Sequence, residues 1–94
     1  MEKPSELTAL VCEELEVNPE DLVGPRKLTY IVEARWVTVH FMHTRLGMNA
    51  CEIADRLQKD QGAIYTAIKR CQEAEQYHPS LFKKLQQVER RLSA

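Results

Sequence analysis

Apolar residues recur at helical spacing along nearly the whole chain, and polar joints cut the pattern into segments. Leu7, Leu10, Val11 and Leu15 form a first stripe, with Ser5 as a candidate N-cap and Glu6 in the turn where the helix dipole favours a carboxylate. Val17-Asn18-Pro19-Glu20-Asp21-Leu22 predicts a turn in which Pro19 opens a short helical piece. Gly24-Pro25-Arg26-Lys27 is the strongest breaker and sets two basic side chains on a loop. From Thr29 to Leu46, helical spacing holds at Val32, Trp36, Val39, Met42 or His43, and Leu46. Within it, Trp36-Val37-Thr38-Val39-His40-Phe41 has strand propensity. No turn signal interrupts the run and no partner strand is evident, so one long helix is expected, stopped by Gly47.

The stretch from Asn49 to Arg70 divides into two amphipathic segments. Ile53, Ala54 and Leu57 share one face; Gln58-Lys59-Asp60 then breaks the pattern, with Asp60 placed to cap a second helix. Ile64, Ala67, Ile68 and Cys71 share the face of that helix, which leaves Gln61, Tyr65, Thr66, Lys69 and Arg70 elsewhere. A tight joint, with small Ala54 at the crossing, fits a helix-turn-helix over about 50–72; an ordinary αα-hairpin fits the same pattern. The second helix is expected to run to about Tyr77, where His78-Pro79 ends it. Ser80 would cap a last helix over about 80–92, striped by Leu81, Leu85, Val88 and Leu92. The expected fold is all-α: one compact five- to six-helix domain over residues 1–94.

Composition fits a globular domain, at 44% hydrophobic and 29% charged. No apolar run approaches the ~20 residues of a membrane span, and M-E-K-P-S-E lacks the apolar segment of a signal peptide. A cytoplasmic location with no membrane partner is the expectation. Cys12, Cys51 and Cys71 form no CxxC pair and no metal-ligand spacing with His40, His43 or His78, which predicts buried or half-buried free thiols and no metal or other cofactor. No nucleophile–base set or paired carboxylate motif points to catalysis. The net charge of -1 conceals an asymmetry: residues 1–21 sum to -6 and residues 22–94 to +5. A basic body behind an acidic first helix permits DNA binding without demanding it.

Residues from about Leu10 to Leu92 resemble the C-terminal DNA-binding domain of the bacterial chromosomal replication initiator DnaA, a Trp-repressor-like fold. Val11-Cys12-Glu13-Glu14-Leu15 with Val17-Asn18-Pro19-Glu20-Asp21-Leu22 is similar to that family's opening helix and "P-x-D-L" turn. Val32-Glu33-Ala34-Arg35 resembles its "EAR" segment. Ala50-Cys51-Glu52-Ile53-Ala54, then Lys59-Asp60 with Ile64, Thr66 and Ala67, resembles its signature helix, glycine turn and recognition helix. The departures are specific. The family's Arg-Asp-His-Thr-Thr stands here as Lys59-Asp60-Gln61-Gly62-Ala63, so only the aspartate is identical, and the glycine pair of the turn shrinks to Gln58. The chain holds no G-x-x-x-x-G-K-[ST] phosphate loop, so no nucleotide is expected.

The resemblance implies double-stranded DNA as the partner, in replication initiation or transcriptional regulation. In a helix-turn-helix the start of the second helix enters the major groove. Gln61 would read an adenine edge, since its amide donates and accepts together; Gly62 and Ala63 would allow close approach; Tyr65 and Thr66 would contact base or phosphate. Lys59 and Lys69 would pair with phosphates, as would the amides opening the helix at Ala50. Arg26 and Lys27 would meet a groove or the backbone from the loop, and Lys27 lies about where the family's minor-groove arginine stands. Arg35 matches the family's phosphate-contacting arginine, and alternatively pairs with Glu52 or Asp55. The rival reading is a helical protein-interaction module, or homodimer, that uses the acidic first helix or the Leu81–Leu92 stripe.

Overall fold

Pro4, with no amide hydrogen to leave unpaired, opens the first helix of the computed structural model, which describes residues 3–93. The described residues form seven helices, in order α1 (Pro4–Leu15), α2 (Pro19–Val23), α3 (Thr29–Thr44), α4 (Ala50–Leu57), α5 (Gln61–Gln72), α6 (Ala74–Tyr77) and α7 (Pro79–Ser93). No strand occurs among the described residues. The domain measures 28 × 26 × 24 Å.

Local chemistry sets most of the boundaries. α1 is capped by the extended backbone of Lys3, and Ser5 lies inside the helix rather than before it. Its far end winds back through Glu16 at φ 56°, where the amides of Glu16 and Val17 both reach the Cys12 carbonyl. Asn18 accepts from the Glu20 amide and starts α2. α3 stops at Thr44, two residues short of the expected end, and Gly47 at φ 67° turns the chain toward α4. The expected helix over 61–77 divides at Glu73 into α5 and α6, which raises the count of helices to seven. α7 starts on Pro79. Ser80 does not cap it; its hydroxyl donates to Glu33 Oε1 at 3.1 Å.

α3 is the axis of the fold. Val37, Val39, Phe41 and Met42 share one core with Leu7 and Val11 of α1, Ile53 and Leu57 of α4, Ile64 and Ala67 of α5, and Leu81, Leu85 and Val88 of α7. Ile31 and Ala34 join Cys12, Val17 and Leu22 in a smaller adjoining cluster under α2. Burial all round explains why α3 tolerates β-branched residues that favour strands: tertiary packing outweighs the modest intrinsic preference. The expected single stripe is a correction. Val32 and Trp36 are only half-buried, whereas Ile31, Ala34, Val37 and Phe41 are buried. Two polar residues go inside: Thr38 donates to the Ala34 carbonyl, and Glu33 accepts from Lys84 and Ser80.

Two further expectations change. The Leu81–Leu92 stripe is not a free contact surface, because Leu81, Leu85 and Val88 pack into this chain's own core. Cys12 and Cys71 are buried as expected, but Cys51 is exposed. Burial pushes the Cys71 thiol up to about 12, so it behaves as a small apolar group. None of the described helices is long and apolar enough to cross a membrane.

Candidate nucleic-acid interface

α4 and α5 occupy residues 50–72, joined by Gln58, Lys59 and Asp60. Ile53, Ala54 and Leu57 of α4 face Ile64, Ala67 and Cys71 of α5 in the core. Gln58 makes the turn at φ 56°, and the Lys59 amide returns to the Ala54 carbonyl at 3.0 Å. Asp60 then caps α5, its carboxylate accepting from the Ala63 amide at 2.7 Å. That bond leaves the amides of Gln61 and Gly62 without an intrahelical acceptor.

The outer face of α5 carries the expected readers. Gln61, Gly62, Ala63, Tyr65, Thr66 and Lys69 are all exposed, with Arg70 beside them. A Cβ on Gly62 would meet only Asp60 Oδ1, at 3.3 Å, so the surface above it is open to a close approach. The Thr66 hydroxyl donates to the Gly62 carbonyl at 3.0 Å and turns its hydrogen inward.

Two of the expected phosphate contacts are engaged within the chain. Arg35 is half-buried, and its guanidinium donates to four carbonyls: Nε to Leu22 at 2.8 Å, Nη2 to Asp21 at 2.7 Å, and Nη2 to Gly24 and Arg26 at 3.2 Å. It pins the end of α2 and the following loop onto α3, in place of the expected pair with Glu52 or Asp55. Lys59 reaches the same loop from the other side, its Nζ donating to Val23 at 3.0 Å and Gly24 at 2.7 Å. Burial holds both cations below their usual pKa, and Lys59 is lowered further by Arg35 and Lys27. Sequence reasoning missed this role because the partners are main-chain atoms far away in the chain, without a residue-type signal.

These bonds place the loop 24–27 beside the start of α5. Arg26 and Lys27 are exposed there, and Arg26 lies 3.8 Å from Asp21. The start of α4 is a different case. Asn49 accepts from the Glu52 amide at 2.9 Å while Glu52 accepts from the Asn49 amide at 3.0 Å, a reciprocal capping box. Ala50 is buried, and the Glu52 side chain takes the Asn49 amide, so a carboxylate already stands at the start of α4. The Asn49-x-x-Glu52 spacing is legible in the sequence and signals that box.

No protein-family model matches this chain, and no curated protein matches it at a significant level.

Proposed function

We propose that this chain binds double-stranded DNA through the helix-turn-helix of α4 and α5, with the first two turns of α5 in the major groove and the loop 24–27 against the flanking backbone. The observation that carries the reading is the open face of α5: Gln61, Gly62, Ala63, Tyr65 and Lys69 stand uncovered beside the exposed cations Arg26 and Lys27. Its local order, a capped helix after a tight turn, is the order of a recognition helix. Gln61 is the adenine-reading residue, Ala63 offers a methyl to thymine, and Tyr65 and Lys69 meet the backbone. Arg35 and Lys59 act one step back, by fixing the loop. The role is a DNA-binding module without a catalytic step, in replication initiation or transcriptional control on cytoplasmic, nucleoid-associated DNA.

Titration against random duplex DNA, followed by anisotropy at two salt concentrations, tests this. Each phosphate contact contributes about -0.9 to the slope of log affinity against log salt, so the exposed cations predict a loss of about two orders of magnitude between low and moderate salt. Lys69→Ala lowers the slope by about 0.9, and Gln61→Ala flattens the sequence preference recovered from the bound pool. No binding at low salt would overturn the reading.

A second reading keeps the scaffold and replaces DNA with protein. Tyr65 is 61% exposed, and Leu28 and Tyr30 at the start of α3 are 46% exposed, more apolar surface than phosphate contacts require. That reading predicts self-association or partner binding that depends on Tyr65 and persists at high salt.

A further inference from the structure

Beneath the loop 24–27, a cleft of about 310 Å³ opens between α3 and the start of α5. Its inner walls are apolar: Trp36 and Val39 from α3, Ile64 and Ala67 from α5. Its polar lining is unbalanced. Lys27, Arg35 and Lys59 contribute three cations against the carboxylate of Asp60, and that carboxylate is engaged at the start of α5. The cations repel one another, and burial, then Arg35 and Lys27, all act to lower the Lys59 pKa. Asp21 offsets Arg35 from the α2 side, which leaves an excess of positive charge in a partly desolvated site; that excess favours an anion, and the attraction grows as water is excluded. A duplex is far too wide to enter. The volume sits at the lower end of small-molecule sites, about 300–1,000 Å³.

We propose that this cleft binds a small apolar carboxylate, an aryl- or alkyl-alkanoate, with its carboxylate between Lys27 and Lys59 and its hydrocarbon over Trp36, Val39 and Ile64. Charge selects the anion; the apolar walls select a hydrocarbon over a bare phosphate. Arg35 contributes mainly its field, since its Nε and Nη2 hydrogens are engaged by carbonyls, and Lys59 offers the ammonium hydrogen that Val23 and Gly24 do not take. The site's walls are the basic loop and the first turns of α5, so an occupant alters the spacing of the groups assigned to DNA. That coupling rests on the DNA reading, whereas the binding itself does not.

Trp36 is the sole tryptophan and lines the cleft, so its emission reports occupancy directly. DNA-free protein is titrated with 4-phenylbutyrate, with the neutral 4-phenylbutyramide of similar shape, and with inorganic phosphate at constant ionic strength; calorimetry is run in parallel. The expected result is saturable binding of phenylbutyrate, binding of the amide weaker by about tenfold or more, and none of phosphate. Lys27→Ala and Ala63→Leu, both at exposed positions on the rim, each weaken phenylbutyrate by about tenfold while melting like the parent chain. No saturable phenylbutyrate binding overturns the proposal. So does equal binding of the amide or of phosphate, or undiminished binding in the fold-intact Ala63→Leu chain. Because no DNA is present, a negative result leaves the DNA reading to its own titration.

Discussion

Basic side chains join helices at two places in this molecule, and they do so in opposite ways. At the terminal seam, Arg91 of α7 pairs with Glu13 and Glu14 of α1, and Lys84 pairs with Glu33 of α3. At the loop seam, Arg35 and Lys59 donate to carbonyls of residues 21–26, which carry no formal charge. The first arrangement neutralises the charges it uses. The second keeps them. A chain of net charge -1 thereby concentrates its positive field around the start of α5. The lesson is that a cation can organise a surface structurally and still contribute to the potential a polyanion meets.

The largest effect expected from breaking this contrast is at Arg35. Arg35→Met removes one guanidinium from three part-buried carbonyls and one exposed one and should cost about 3 kcal/mol, read as a lower urea midpoint with an unchanged slope. Arg35→Lys should recover less than half of that loss, because a single ammonium cannot span the same set. Gln58→Gly sharpens the comparison at the residue before Lys59. It relieves a left-handed backbone at a non-glycine residue and should raise stability by about 0.5 kcal/mol, the strain relief exceeding the entropy glycine loses. Equal stability would mean that the Gln58 conformation is unstrained.

The smallest effect belongs to the Arg91 end of the terminal seam, where the pairs with Glu13 and Glu14 lie at the surface and are screened by salt. Hydrogen bonds from Gln87 and Arg91, with the nearby arginine charges, hold the Glu14 carboxyl below its usual 4.5. A depressed folded-state value means that its contribution is complete above the usual carboxylate range and is lost as pH falls through the lowered value. Glu14→Gln should flatten the acid limb of the stability curve slightly, and added salt should do the same to the parent chain. The loop seam should show neither dependence in that range.

The sequence was readable where the determinants were local. Asp60 as a cap, Pro19 as a helix start and the division between α4 and α5 all follow from neighbours a few residues apart. The misreadings are non-local. α3 has no single apolar stripe because helices surround it, so a one-sided pattern selected half-buried Val32 and Trp36 over Ile31 and Phe41. Ser80 fits a cap by type, but α7 already starts at Pro79, which puts Ser80 inside the first turn, where its hydroxyl donates to Glu33. Within the candidate interface, the exposed face of α5 was legible from periodicity. The fixing of the loop by Arg35 and Lys59 was not, since any residue type supplies a carbonyl.

The place of α7 in the core has a consequence for the order of events during synthesis. Leu81, Leu85 and Val88 fill space between elements made much earlier, and α1 and α3 bury their apolar faces against it. Synthesis in chain order delivers α4 and α5 while that space is still empty. The nascent pair therefore has its local caps and α3 to pack on, but not the apolar surface that α7 lays against α1 and α3. A chain stalled before Pro79 would display the motif on α3 with the core still open along the side that α7 closes.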